Sequence, residues 1–156
     1  METLDNKKQI TVLNDLVQVN NDRMAGYNKA LSELSDEEAG DLKPLLRKMV
    51  NNSIDYNTEL EKLVNLYEGE AAEGTSGAGK MYRAWMELKA LFTGNDSIAI
   101  LDSCETIEAT AIRAYGAALG EELNQDVRSL ITAQRAEMVQ SCEDIRTLRN
   151  TFPETG

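Results

Sequence analysis

Two glutamates one helical turn apart, Glu105 and Glu108, have the greatest potential for chemistry in this chain. Both fall on an apolar repeat that runs from Ile98 through Leu101 to Ile112, so the pattern predicts that their carboxylates face an interior. A buried carboxylate is strongly unfavourable unless it is paired or hydrogen-bonded. The sequence must therefore provide donors close to these two residues.

Hydroxyl and amide side chains fall on the same repeat in the other predicted helices. They are Asn20, Tyr27, Ser53, Tyr56, Tyr115, Gln134 and Ser141. The preferred interpretation is that they form, with Glu105 and Glu108, a polar network that sets the register of the helices. The alternative is a small cavity that binds one metal ion or a small polar ligand, with Glu108 as its anionic anchor.

Four further acidic residues lie close to these positions in the sequence. The repeat predicts that Asp22, Glu59, Glu137 and Asp144 all point away from the core. Acidic residues that flank such a repeat usually form a solvated face, so we expect no role for them in a site.

The elements that carry these residues are helices. Apolar residues recur at alternating steps of three and four, the spacing that lines one face of a helix packed in a bundle. The pattern predicts helices at 5–34, 42–68, 79–92, 96–120 and 124–150 within a single domain, 1–156. The segment at 79–92 is short and amphipathic, and it follows a Gly- and Ala-rich stretch. The prediction is an all-α four-helix bundle with a long crossover that carries a short fifth helix.

The crossover helix presents an apolar stripe that requires a partner. Met81, Trp85, Leu88 and Phe92 fall on one side of it. We expect this stripe to pack on the bundle, because so short a helix is unstable alone. A contact between two subunits is the alternative, which leaves a homo-oligomer open.

Composition limits the classes of partner. The 156 residues include 16 Lys and Arg against 27 Asp and Glu, which gives a net charge of −11, and no histidine. Such a surface repels phosphate backbones and anionic lipids, so nucleic acid and membrane are not expected partners. The first residues lack the apolar segment of a secretion signal, and Cys104 and Cys142 fall within helices, as free buried thiols do. We expect a cytoplasmic protein.

Three stretches resemble a known group of proteins. They are NNDRMAGY, KMYRAWMELKALFTGND and AILDSCETIEATAIRAY, and they are similar to a bacterial family of uncharacterised four-helix-bundle proteins within the ferritin-like, rubrerythrin-type superfamily. The resemblance covers nearly the whole chain and implies a closed ferritin-like bundle. It implies no established activity.

The superfamily also implies where metal ligands would stand. Its di-iron members use a Glu from each of two helices and a Glu-x-x-His pair from each of the other two. The resemblance places these six positions at Asn20, Ser53, Tyr56, Glu108, Met138 and Ser141. Only Glu108 is a carboxylate, and one carboxylate cannot hold two hard dications.

The resulting expectation is a non-catalytic, cytoplasmic helical-bundle protein without a redox cofactor. We expect it to act through a binding surface or as a stress-accessory protein, of which the accessory role is implied by the resemblance, and no protein partner is identified. The alternative is a degenerate metal-binding or oxidoreductase protein that uses Glu105 and Glu108. A third hypothesis is a carrier of a small ligand.

Overall fold

Four long helices make up nearly all of the structure. The structure, a computed structural model, describes residues 6–33, 42–74 and 97–151. Within these ranges it contains no β-strand and four α-helices: α1 is Asn6–Glu33, α2 is Leu42–Leu66, α3 is Ser97–Leu119 and α4 is Gln125–Asn150. The predicted all-helical fold is confirmed for this part of the chain. The helix predicted at 79–92 lies outside the described residues.

The helices pair as two hairpins around one apolar core. In hairpin one α1 packs along α2, and in hairpin two α3 packs along α4. Apolar side chains from all four helices are completely buried, among them Leu13, Leu46, Leu60, Ile100, Ile107, Val127, Ile131 and Ile145. Burial of each such side chain contributes about 1.5–3 kcal/mol, so this core holds the hairpins together.

Helices α1 and α3 run antiparallel across the two hairpins. At one end, Gln9 Nε2 donates to the carbonyl of Glu122 at 3.2 Å, and Gln9 Oε1 accepts from the amide of Asn124 at 3.0 Å. At the other end of α1, a Cβ added to Gly26 would lie 2.8 Å from Ile107 Cδ1. The absence of a side chain at Gly26 therefore lets α1 approach α3 closely beside the polar residues described below.

After α2 the chain turns back and runs beside α1. We call residues 69–74 the strap. Asn14 Nδ2 donates to the carbonyl of Glu70 at 2.8 Å, and Asn21 Nδ2 donates to the carbonyl of Gly74 at 2.7 Å. Gln18 makes a longer bond of 3.4 Å to the carbonyl of Glu73. These amides, spaced along one side of α1, direct the start of the crossover.

The turn at the end of α2 places a glutamate in the left-handed region. Glu68 has φ of 68°, its amide donates to the carbonyl of Asn65, and the amide of Gly69 donates to the carbonyl of Val64. This is the Schellman arrangement, in which glycine is the usual residue at the left-handed position.

Replacing Glu68 by glycine is therefore expected to stabilise the protein by about 0.5–1 kcal/mol, because the steric cost of the left-handed conformation is removed. The midpoint of urea unfolding measures the change. Glu70→Gly is the matched control, since Glu70 does not have a positive φ. An equal gain in both variants would contradict this explanation.

Candidate functional site

A buried ion pair lies at the centre of the bundle. Arg23 on α1 and Glu108 on α3 both have completely buried side chains. Arg23 Nε donates to Glu108 Oε2 and Arg23 Nη2 donates to Glu108 Oε1, each at 2.9 Å. The pair is thus bidentate, the geometry in which a guanidinium binds a carboxylate most strongly.

The other side of the guanidinium is also occupied. Arg23 Nη1 donates to Asn20 Oδ1 at 3.0 Å and to Ser53 Oγ at 2.9 Å. The guanidinium carbon lies 5.7 Å from the ring centroid of Tyr27 and 5.4 Å from that of Tyr56, within the range of a cation–π interaction. A buried cation therefore has partners on all sides.

Glu108 has a third donor besides the guanidinium. The Tyr27 hydroxyl donates to Glu108 Oε2. Burial raises the pKa of Tyr27, and the negative charge of Glu108 raises it further. Burial alone would lower the pKa of Arg23, but the charge of Glu108 outweighs this effect and the pKa lies above its ordinary value. Arg23 is therefore charged and Tyr27 neutral at physiological pH.

A chain of hydrogen bonds leads from this pair to the surface. Asn20 Nδ2 donates to the Tyr115 hydroxyl at 2.8 Å, which donates to Gln134 Oε1 at 2.6 Å. Gln134 Nε2 then donates to the carbonyl of Tyr56 at 3.1 Å and to Glu59 Oε1 at 3.2 Å. Burial raises the pKa of Tyr115, which therefore stays protonated. All four helices are joined in this way.

The structure brings most of the predicted polar residues together around Arg23. We call this set the charged network: Arg23, Glu108, Asn20, Tyr27, Ser53, Tyr115 and Gln134. Tyr56 borders it through its ring, and its hydroxyl donates to the exposed Glu137 at 3.4 Å. Ser141 is buried on α4, and no described hydrogen bond joins it to the network.

The prediction that Glu105 faces the interior is wrong. Its side chain is 29% exposed and accepts hydrogen bonds from Arg146 Nε and Nη2 at 3.1 and 3.0 Å. The buried positions on α3 include 101, 104, 108, 111 and 115, so Cys104 holds the place assigned to Glu105. Counted from Leu101, these positions follow steps of three, four, three and four, whereas the prediction followed steps of four, three, four and three. Glu105 therefore lies at the rim of the core.

Asp22 also differs from its prediction. It is completely buried, whereas Glu59 and Glu137 are exposed and Asp144 is half-buried. Helix α1 is buried over more than one face, since Val12 and Val19 are buried as well as Leu13 and Asn20. A prediction that assumes one buried face therefore identifies too few buried residues on such a helix.

Arg23 is the central residue of this candidate site, and the sequence analysis did not predict it. It lies three residues after Asn20 and four before Tyr27, so it shares their face of α1. A buried carboxylate at Glu108 requires either neutral donors or a cation, and the polar repeat indicated only the neutral donors. The signal for it in the sequence is an arginine at helical spacing from two predicted polar positions.

The thiols do not extend the site. Cys104 and Cys142 are free and buried, as predicted. Burial raises the pKa of Cys104, and the charge of Glu108 adds to the effect, so the group is a thiol rather than a nucleophilic thiolate. In the described ranges no three His, Cys, Asp or Glu residues are grouped so that they could hold a metal ion.

Comparison with known proteins places the chain in a family. Residues 8–121 match the model of a domain of unknown function, DUF2383. No curated protein matches the sequence. In the described ranges no helix has both the length and the apolar character that crossing a membrane requires.

Solved structures share the fold. A conserved hypothetical protein from Mycobacterium tuberculosis is 11% identical, with a TM-score of 0.74 over 96% of each chain. A mutant of Dps1 from Mycobacterium smegmatis is 18% identical, with a TM-score of 0.76 over 94% of this chain and 99% of that one. At these identities the likeness concerns the fold alone. The chain belongs to the DUF2383 family of unknown function, and its fold is a ferritin-like helical bundle.

Proposed function

We propose that this protein is a non-catalytic helical bundle in which a built-in cation, Arg23, stands in place of bound metal ions. The observation that supports this proposal is the position of the guanidinium. It contacts Asn20, Ser53 and Glu108 by hydrogen bonds and lies over the ring of Tyr56. These are four of the six positions at which the superfamily resemblance expects metal ligands.

A fixed cation changes what these positions can bind. Glu108 uses both oxygens to bind Arg23 and also accepts from Tyr27, so three of its roughly four acceptor sites are engaged. A dication at this place would meet the positive charge of Arg23, whose pKa lies above its ordinary value. Like charges at such short distances repel strongly in a buried site, which opposes metal binding.

We assign the role of this protein to its surface rather than to its interior. With the interior occupied by structural contacts, we infer a cytoplasmic protein that acts by binding or as a stress-accessory protein, without enzymatic activity or a redox cofactor. Its net charge of −11 favours a basic or neutral protein partner over nucleic acid or an anionic membrane.

Metal analysis tests the proposal directly. Protein purified without chelator is expected to contain well below one equivalent of iron, manganese or zinc, and added Fe²⁺, Mn²⁺ or Zn²⁺ is expected to leave its melting temperature unchanged. Stoichiometric metal that is lost in Glu108→Ala would instead establish the alternative, a metal-binding or oxidoreductase protein.

Chemical rescue gives a second, positive test. Arg23→Ala removes the guanidinium but keeps its partners, so guanidinium ion at low millimolar concentration is expected to raise the melting temperature of this variant. The same concentration is expected to have no such effect on the wild-type protein or on Arg23→Ala/Glu108→Leu. Rescue by a divalent metal and not by guanidinium would contradict the proposal.

A further inference from the structure

The charged network is divided between the two hairpins. Hairpin one supplies Arg23, Asn20 and Ser53, and hairpin two supplies Glu108 and the Tyr115–Gln134 pair. The bidentate ion pair and the Asn20–Tyr115 bond both cross from one hairpin to the other. If the hairpins separate, each leaves a charge without its partner, which is strongly unfavourable at an apolar face.

The inner face of each hairpin therefore fits one kind of surface. Within the described residues, the inner face of the opposite hairpin presents the matching charge at the same level along the bundle, together with the apolar side chains around it. Each chain carries one hairpin of each kind. A second copy of this chain offers the same matching surface.

We propose that hairpin one of one copy pairs with hairpin two of a second copy, so that the protein also assembles as a hairpin-exchanged dimer. Each Arg23–Glu108 pair in this dimer joins two copies, and no new interface is required, because the contacts between the described parts of the two hairpins are repeated. The chain between α2 and α3, residues 67–96, is long enough for the exchange, since thirty residues can span about 100 Å when extended.

The strap opposes this exchange in the closed chain. It fastens the first part of the connection to α1 through Asn14, Gln18 and Asn21, whose side chains are half-buried. A shorter free connection keeps the second hairpin close to the first and raises its effective concentration. Release of the strap is therefore expected to shift the balance toward the dimer.

A mixture of two variants tests the exchange. Arg23→Met and Glu108→Leu chains carrying different tags are unfolded together in urea, refolded at high protein concentration, and analysed by native mass spectrometry. In an exchanged heterodimer, one bundle contains both Arg23 and Glu108 and the other contains neither. Each homodimer contains two bundles with an unpaired charge. The heterodimer is expected to exceed either homodimer by at least about tenfold, because an unpaired buried charge is costly.

Other assemblies give different results. Dimers that form side by side keep each variant pair within its own chain, so homodimers and heterodimers would form in statistical proportions. That result, or monomers alone at every concentration, would overturn the proposal. Because the variants are destabilised, the same refolding is also carried out with two differently tagged wild-type chains, which are expected to yield a mixed dimer.

The strap is tested on the otherwise wild-type chain. Asn14→Ala/Gln18→Ala/Asn21→Ala is expected to raise the ratio of dimer to monomer by about 1.5-fold at a fixed concentration, because the effective concentration of the second hairpin falls with roughly the −3/2 power of the free length. A matched control replaces three exposed asparagines elsewhere by alanine: Asn28, Asn51 and Asn65. An equal rise in both triple variants would overturn the role of the strap.

Discussion

Replacement of Arg23 by methionine is expected to reduce the free energy of unfolding by about 3–5 kcal/mol, because Glu108 is then left as a buried charge without its partner. Methionine fills much of the same volume, so the loss measures the charge rather than a large cavity. Glu108→Leu is expected to cost a similar amount for the converse reason. Urea unfolding is the appropriate measurement, since guanidinium chloride is a salt and would screen the charges under test.

The double variant Arg23→Met/Glu108→Leu is expected to recover most of the loss, because no unpaired charge remains and an apolar pair of similar volume replaces the ion pair. The exposed pair between Arg146 and Glu105 provides the control, and Arg146→Met is expected to change stability far less. If the two core substitutions added instead of compensating, Arg23 and Glu108 would not act as a pair.

Alkaline pH is expected to unfold the protein steeply, because buried tyrosines must stay protonated in the folded state. Burial raises the pKa of Tyr27 and of Tyr115 above their ordinary values. Above about pH 10 the unfolded chain loses these protons while the folded chain keeps them, so stability falls by about 1.4 kcal/mol per pH unit for each tyrosine. Below about pH 10 this contribution to stability is fully present.

Because of the buried thiol of Cys104, stability is expected to start falling at a lower pH than the tyrosines alone would give. Its pKa is raised by burial in the folded state, whereas an unfolded cysteine ionises near about pH 8.5. Stability is therefore expected to decline gently above that pH and to fall more steeply once tyrosine ionises. Urea midpoints measured across this range give the slope, and the ultraviolet absorbance of tyrosinate reports when the side chains ionise.

Phenylalanine variants separate the contributions. Tyr27→Phe and Tyr115→Phe are each expected to reduce the alkaline slope by about 1.4 kcal/mol per pH unit. Tyr67→Phe is expected to reduce the slope less, since Tyr67 is only half-buried, although burial and the hydrogen bond of its hydroxyl to the exposed Asp126 at 2.6 Å also raise its pKa. Tyrosinate that appears at the ordinary pH in the folded protein, without loss of stability, would contradict the assignment.

The sequence by itself determined the helices and most of the buried polar positions. Apolar residues at helical spacing predicted α1, α2, α3 and α4 to within two residues at each end. The same spacing selected Asn20, Ser53, Glu108, Tyr115 and Gln134, all of which are buried. The information was sufficient because helical periodicity is local: each position's face is set by its distance along one helix from its apolar neighbours.

Only the tertiary structure decided which residue neutralises Glu108. Arg23 is 85 positions away from Glu108 in the chain. Arginine side chains are charged and usually lie at the surface, so nothing local marks this one as buried. The position of Glu105 was decided in the same way, because one helical turn separates a core position from the rim and Arg146 on α4 holds the carboxylate at that rim. Periodicity indicates that a residue faces inward, but the partner that makes a buried charge stable comes from another helix, and its identity depends on how the hairpins dock.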